Sequence, residues 1–134
     1  RIKDALEFYG KNLGLAFQIA DDTLDYNSEL KLFGKEIGND FYEGKITLPI
    51  ILLYQKANLK EKKILKDCFE KKIRSEIEFK ETLSMINKYN IISECYKKAD
   101  HFINLASNSL SIFDNSKEKE ILQNLTSFSL ERNF

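Results

Sequence analysis

Three aspartates lie close together in the stretch AFQIADDTLDY, residues 16–26. On a helix, Asp21 and Asp25 are one turn apart and Asp22 lies three residues before Asp25, so the three carboxylates share one patch. Carboxylates at this spacing repel one another, and burial without a partner adds to the cost. A divalent cation relieves both penalties, and Mg²⁺ typically takes one or two carboxylates together with phosphate oxygens. The patch therefore indicates a magnesium site, with a solvated acidic helix face as the alternative.

Gln18 extends this polar stripe, since it lies one turn before Asp21 and Asp22. The residues around the stripe are apolar, among them Phe17 and Leu24, instead of the mixture of Lys and Glu that a solvated face carries. Bare carboxylates avoid apolar surroundings, so this setting weakens the alternative of a solvated face.

Two lysines after the aspartates supply charge of the opposite sign. Lys35 and Lys45 each follow a glycine, which permits close approach of the backbone to a phosphate, and a lysine ammonium acts as a point charge on phosphate oxygens. Gly38 and Asp40 lie between them and are candidates to shape the loop or to orient a metal-bound water. Each lysine taken singly also fits an exposed loop cation. Together with the acidic helix, the set suggests a diphosphate held through Mg²⁺.

The elements that must position these residues are predicted to be helical. The 134 residues contain only five Gly and one Pro, and apolar residues recur at helical spacing. The pattern predicts helices over residues 1–26, 47–57, 60–72, 75–88, 91–113 and 117–131, and an ordered loop with room for one short helical turn over 27–46. No stretch alternates as a β-strand does. The sequence thus predicts an all-α fold.

Two of these helices show a well-defined packing stripe. In the first helix the predicted seam consists of Leu6, Gly10, Leu13, Phe17, Ala20 and Leu24. In the helix over 91–113 the stripe consists of Ile91, Cys95, Ala99, Phe102, Ala106, Leu110 and Phe113. Both stripes have the spacing of a helix that packs against another helix.

Composition and charge exclude several function classes. The 21 basic and 21 acidic residues balance, and no basic patch interleaved with aromatic residues occurs, so nucleic-acid binding is not expected. The aspartates do not alternate along a loop as the ligands of a calcium-binding EF-hand do. No apolar run reaches the roughly 18–20 residues that cross a bilayer. Cys68 and Cys95 are isolated thiols, which favours a reduced, cytoplasmic protein.

The stretch from about Tyr9 to Leu53 resembles the second aspartate-rich region of trans-type polyprenyl diphosphate synthases. The resemblance is carried by YGKNLGLAFQIADDTLDY followed by GKEIGNDFYEGKITLPI, which combine DDxxD with two Gly-Lys motifs. It implies the C-terminal portion of an isoprenoid-synthase-type helical fold, an antiparallel helix bundle. It also implies a magnesium-dependent prenyltransferase of isoprenoid biosynthesis, which ionises an allylic prenyl diphosphate and condenses it with isopentenyl diphosphate.

The resemblance assigns roles to individual residues of this sequence. Asp21 and Asp22 would hold Mg²⁺, and Asp25 would complete the metal site directly or through water. The catalytic and substrate-binding residues would be Gln18, which orients the diphosphate or a metal-bound water, and Lys35 and Lys45, which contact the diphosphate leaving group. Phe17 would line the cavity near the reacting carbons, where its ring suits an allylic carbocation.

The sequence departs from the family pattern because it contains one DDxxD motif where the family has two. We therefore expect residues 1–134 to be a single all-helical unit that forms the C-terminal part of a larger synthase domain. Within it, 1–26 is the metal-site helix, 27–46 the diphosphate-binding loop and 47–134 the packing helices. Alone, the chain is expected to catalyse no prenyl transfer, and radiolabelled product formed by this polypeptide with Mg²⁺ would contradict that expectation.

Other functions remain open at the level of sequence. The chain fits a non-catalytic remnant, or an accessory subunit that dimerises with an active synthase, and a terpene cyclase shares the DDxxD chemistry. The GKxTLP segment favours chain elongation over cyclisation. The resemblance also implies a homodimer, with weak association with a membrane surface through a long product.

Overall fold

A computed structural model of the chain describes residues 1–28 and 36–131, with side chains up to Ser127. The helices are α1 (Ile2–Leu24), α2 (Asn39–Tyr42), α3 (Leu48–Lys56), α4 (Leu59–Glu70), α5 (Glu76–Lys88), α6 (Ile91–Asn108) and α7 (Lys117–Glu131), with a 3₁₀ turn at Ser109–Ile112. The described residues contain no strand. The all-α prediction is confirmed, and the short turn expected in the loop is α2.

The predicted helix bounds agree with the observed ones to within a few residues. The helix expected over 91–113 is α6 followed by the 3₁₀ turn. Thr47 occupies the N-cap position of α3, but its side chain makes no cap hydrogen bond there. Pro49 lies in the first turn of α3, where its missing N–H leaves no helical bond unmade.

The chain divides into two compact units. The first unit consists of Arg1–Ala20 and Tyr96–Phe134, and the second of Asp21–Cys95. The boundary therefore falls inside α1 and inside α6, and the residues of each helix belong partly to one unit and partly to the other. The expectation of a single unit within a larger synthase domain stays a prediction.

The first unit is built on an apolar core between α1 and α6. Its buried members are Tyr9, Leu13, Ala16, Ala99, Ile103, Ala106 and Leu110. Small residues on both helices leave room for close packing between them. The hydroxyl of Tyr9 donates a hydrogen bond to the carbonyl oxygen of Leu122 at 2.9 Å, which ties α7 to this core.

The buried face of α1 differs from the predicted seam. Leu13 and Ala20 are buried as expected, but Leu6 and Phe17 are 44% and 37% exposed. The buried stripe passes through Tyr9 and Ala16 instead, because the α6 alanines admit these residues and Tyr9 has a main-chain acceptor for its hydroxyl. In α6 and the 3₁₀ turn that follows it, five of the seven residues of the predicted stripe are buried, and Phe102 and Phe113 are half-buried.

The second unit holds its helices with local polar caps as well as apolar packing. Asn58 caps α4 and Ser75 caps α5, and each side chain accepts the amide N–H of a glutamate three residues on. Those glutamates, Glu61 and Glu78, accept the N–H of the cap residue in return. These reciprocal bonds form capping boxes, which satisfy amide groups that a helix N-terminus leaves unpaired.

Candidate functional site

Asp25 connects the C-terminal end of α1 to the turn that carries α2. Its Oδ1 accepts the N–H of Asn39 at 3.0 Å and its Oδ2 accepts the N–H of Asp40 at 2.7 Å. Its main-chain oxygen also accepts the N–H of Gly38 at 2.9 Å. Gly38 has φ 94°, a left-handed conformation that favours glycine. One aspartate thus fixes three successive residues of the loop.

The other two aspartates of the cluster lie on the last turns of α1. Asp21 is exposed and Asp22 is half-buried. Asp40 is brought beside this acidic group by the hydrogen bond to Asp25. Burial, followed by the nearby Asp25 carboxylate, raises the pKa of Asp40, while the Lys45 ammonium acts in the opposite direction. Asp25 and Asp40 therefore lie together beside the end of α1, and Lys45 faces Asp40.

Lys45 reaches this acidic group from the other end of the turn. Its main-chain N–H donates to the Asp40 carbonyl oxygen at 2.8 Å, and its Nζ lies 4.0 Å from Asp40 Oδ1. The Lys45 side chain is 59% exposed, so the ammonium group remains accessible to an anion. Lys45 therefore lies beside Asp40, which Asp25 holds near the end of α1, and the predicted contact of Lys45 with a diphosphate stays a prediction.

Three predicted site residues remain, Phe17, Gln18 and Lys35. Phe17 and Gln18 are on the part of α1 that belongs to the first unit, and both are exposed. Lys35 falls outside the described residues. Its proposed contact with a diphosphate stays a prediction, as do the roles of Phe17 and Gln18.

Arg74 is a residue of the second unit that sequence reasoning missed. It is 7% exposed, and its Nε donates to the carbonyl oxygen of Phe41 at 2.8 Å, so it holds the C-terminal end of α2. The sequence gives only a weak indication that Arg74 is special. It is one of three arginines in the chain, and it directly precedes the Ser75 capping box. Its position in the sequence does not predict its contact with Phe41, which lies 33 residues earlier.

An aromatic cluster supports the same turn from its apolar side. The ring centroid of Phe41 lies 5.1 Å from that of Phe79 and 5.5 Å from that of Phe69. Tyr42 and Tyr26 also contact Phe79, with centroid distances of 5.4 Å and 6.1 Å. Aromatic pairs at these separations are attractive beyond the area that they bury. The turn is therefore anchored by packing as well as by hydrogen bonds.

Tyr26 is fully buried next to the acidic group. Its hydroxyl has no hydrogen-bond partner among the described residues. Burial, followed by the Asp25 carboxylate, raises the pKa of Tyr26 far above its usual value. The phenol therefore stays neutral and adds no negative charge to the aspartates beside it.

The donor set can be tested for its fit to a divalent metal. Among the described residues, no three His, Cys, Asp or Glu side chains are gathered as a ready-made metal site. The available donors are carboxylate oxygens, the ligands that Mg²⁺ prefers, and Mg²⁺ commonly uses only one or two of them with the rest supplied by substrate phosphates and water. Asp21 and Asp22 supply such a pair at the end of α1. The donor chemistry fits a metal that is shared with a diphosphate.

The described helices include none with the length and apolar content of a membrane span.

Comparison with known proteins identifies relatives of the chain. Residues 1–86 match the model of the family described as polyprenyl synthetase. Octaprenyl diphosphate synthase of Haemophilus influenzae is 30% identical over 130 residues, which cover 97% of this chain and 39% of that protein.

Solved structures of polyprenyl synthases share the fold. The one from Roseobacter denitrificans has a TM-score of 0.84 and 29% identity, covering 96% of this chain and 41% of its own. The one from Caulobacter crescentus, complexed with calcium and isoprenyl diphosphate, has a TM-score of 0.82 and 32% identity, covering 98% of this chain and 40% of its own. The chain thus spans about two fifths of the length of these relatives. On the family match over residues 1–86 and this shared fold, the chain belongs to the polyprenyl synthetase family.

Proposed function

We propose that this chain is the part of a polyprenyl diphosphate synthase that holds the diphosphate of an allylic prenyl substrate through Mg²⁺. The whole synthase would condense that substrate with isopentenyl diphosphate. The observation that carries the proposal is the double hydrogen bond from the Asn39 and Asp40 amides to the Asp25 carboxylate. It joins the DDxxD end of α1 to the turn that presents Lys45, so acidic metal donors and a cation for phosphate share one place.

Each of these residues has a separate part in the proposed site. Asp21 and Asp22 would hold Mg²⁺, with Asp25 completing the set directly or through water while it fixes the loop. Bound Mg²⁺ would supply positive charge against the diphosphate as the bond to the prenyl carbon breaks. Lys45 would donate hydrogen bonds to the diphosphate oxygens, and its 4.0 Å ion pair with Asp40 is loose enough for the ammonium to turn toward a more highly charged anion.

The remaining roles rest on the family resemblance. Lys35 would contact the diphosphate, and Gln18 would orient the diphosphate or a metal-bound water. Phe17 would line the cavity beside the reacting carbons, where its exposed ring could face a developing allylic cation. A cytoplasmic location, a homodimer and weak association with a membrane surface through a long product complete the proposal.

Isothermal titration of the 134-residue chain with inorganic pyrophosphate tests the binding step without requiring turnover. Binding is expected in the presence of Mg²⁺ and is expected to disappear with EDTA. Asp21→Asn and Asp22→Asn each remove a proposed metal donor. Each should raise the dissociation constant by more than about 10-fold. Removing a residue that only supports a metal ligand already costs about that much, and these residues are proposed to bind the metal themselves.

Asp4→Asn is the matched control, because Asp4 is an exposed aspartate in the first turn of the same helix. It makes the same change in net charge and should leave the affinity unchanged. Pyrophosphate binding that is equal with and without Mg²⁺, or equal in all three variants, would contradict the proposed function.

A further inference from the structure

The Arg74 side chain bridges two segments of the second unit. Its Nε donates to Phe41 O at 2.8 Å, and its Nη2 donates to Tyr42 O at 3.3 Å. Both carbonyls belong to the two residues that follow Asp40. The remaining donors face the segment between α4 and α5. Nη1 donates to Lys71 O at 2.6 Å and Cys68 O at 3.3 Å, and Nη2 donates to Lys72 O at 3.4 Å.

These five carbonyl oxygens account for the burial of a permanent cation. Arg74 is 7% exposed, and the ion pairs formed among the described residues do not include it. A buried charge is tolerated only when polar groups replace the water that it has lost. Main-chain carbonyl dipoles perform that function here, so their positions and the position of the guanidinium depend on one another.

The turn held in this way presents Lys45. The carbonyl oxygen of Phe41 accepts from Arg74 and also accepts the N–H of Gly44 at 3.0 Å. The following amide, that of Lys45, donates to the Asp40 carbonyl at 2.8 Å. A displacement of Phe41 O would therefore move the backbone from which the Lys45 side chain extends.

Gly44 provides an independent observation of the same contact. Its φ is +74°, and a Cβ added there would lie 2.6 Å from Arg74 Nη2 and 2.9 Å from Arg74 Cζ. The far end of an arginine usually moves aside for a methyl group. Here it is held by five hydrogen bonds, so the backbone passes the guanidinium at a distance that only glycine permits.

We propose that Arg74 is a positioning residue for the diphosphate site, which sets the place of Lys45 without touching the diphosphate. The inference rests on the proposed function, since it assigns to Arg74 the orientation of a residue of that site. Its chemistry requires the planar guanidinium, which spreads five N–H donors over three nitrogens, whereas a lysine ammonium retains the charge but has only three donors on one nitrogen for these five carbonyls.

Arg74→Lys in the 134-residue chain separates geometry from charge. Amide hydrogen exchange of Gly44 and Lys45, followed by NMR, should accelerate by about 10-fold when their anchor is lost, while exchange of Ile103 in the first unit keeps its wild-type rate. Titration with Mg²⁺ and pyrophosphate should show a dissociation constant raised by about 10-fold. Lys72→Gln, which removes an exposed cation two residues away, should change neither quantity.

Gly44→Ala perturbs the contact from the other side with Arg74 intact, and so keeps the test decisive if Arg74→Lys fails to fold. It should accelerate exchange at Lys45 and weaken pyrophosphate binding. In the double variant the shorter lysine makes room for the methyl group, so the combined loss of affinity should be smaller than the product of the two single losses. Effects that multiply without interaction would show that the two residues act separately.

Two results with Arg74→Lys also overturn the proposal. In one, Arg74→Lys exchanges at Gly44 and Lys45 as the wild type does. In the other, exchange accelerates but the pyrophosphate affinity is unchanged. A wild-type chain that binds no pyrophosphate would instead overturn the proposed function, and the exchange rates alone would then decide whether Arg74 holds the turn.

Discussion

The apolar core of the first unit and the turn over residues 38–45 of the second unit are held together in different ways. In the core, α1 and α6 bury residues that recur every three or four positions, such as Leu13, Ala16 and Ile103. In the turn, main-chain groups are held by the side chains of Asp25 and Arg74, which are distant in sequence. The core depends on shape and buried area, and the turn depends on a few directional bonds.

This difference suggests how the two regions serve the proposed function. A close-packed apolar core tolerates few gaps, but its packing does not depend on the direction of individual bonds. The turn must present Lys45 at one position beside the aspartates, and hydrogen bonds to main-chain atoms define such a position. We infer that the first region provides stability and the second provides geometry. Two predictions separate these contributions, and a third compares helix caps in the two units.

The largest effect is expected from Ile103→Ala in the core of the first unit. Ile103 is fully buried, so its truncation loses buried apolar area and leaves a cavity, at a cost of about 2–5 kcal/mol in the free energy of unfolding. Urea denaturation followed by circular dichroism measures it. Ile121→Ala, at a position 58% exposed, should stay within about 0.5 kcal/mol of the wild type. Equal losses in the two variants would show that the core does not provide the stability attributed to it.

A pair of glycine substitutions should change stability in opposite directions. In Gly38→Ala the new Cβ would lie 2.8 Å from the Phe79 ring and 3.1 Å from the Tyr42 ring, at φ +94°, so a loss of about 1–3 kcal/mol is expected. Gly14 lies within α1 and a Cβ there meets nothing within 4 Å, so Gly14→Ala should stabilise by up to about 1 kcal/mol. Thermal unfolding of both variants provides the measurement. A loss at Gly14 as large as that at Gly38 would mean that the turn has no special backbone requirement.

The two regions also differ in how far the sequence predicted them. The stripe of α6 was predicted because apolar spacing of 3.6 residues is a local property, and Ala99, Ala106 and Leu110 are buried as expected. The face of α1 was misplaced, since nearly every side of that helix is apolar and the periodicity alone cannot choose one. The choice was made by the Tyr9 hydroxyl, which needs the carbonyl oxygen of Leu122.

For the candidate site, the sequence offered residue types without geometry. Asp25 and Lys45 were selected from charge and spacing, and the structure brings both to Asp40, while their roles toward a metal and a diphosphate stay predictions. The hydrogen bonds that the Asp25 carboxylate accepts from the Asn39 and Asp40 amides were not predicted, nor were those that Arg74 donates to distant carbonyls. Hydrogen bonds between a side chain and a distant main-chain group leave no periodic trace in the sequence, because nearly every residue offers an amide N–H and a carbonyl.

The smallest expected effect concerns the capping boxes of α4 and α5 in the second unit, in which a glutamate returns the hydrogen bond of the cap residue. The cap at the start of α7 in the first unit has no such glutamate. The hydrogen bond from Tyr89, followed by that from the Asn58 amide, lowers the pKa of Glu61 from 4.5 to about 2. The hydrogen bond from Lys71, followed by that from the Ser75 amide, lowers the pKa of Glu78 in the same way. Because the pKa of each glutamate is lower in the folded chain than in the unfolded chain, its ionised carboxylate stabilises the fold fully above pH 4.5. This stabilisation is lost as the pH falls from about 4.5 to about 2.

Carboxyl NMR titration should therefore find both glutamates ionised at pH values where an unfolded chain has protonated them. Over the same range the amides of Glu61 and Glu78 should lose protection from exchange, measured relative to their intrinsic rates. The amide of Lys119 is the internal control. It donates to the Ser116 hydroxyl at the start of α7, where the third residue is a lysine and no carboxylate can return the bond. Glu61→Gln and Glu78→Gln should remove the pH dependence at their own helix. If acid lowered the exchange protection of the Lys119 amide as much as that of the Glu61 and Glu78 amides, the whole chain would be losing protection. The caps would then not distinguish the two units.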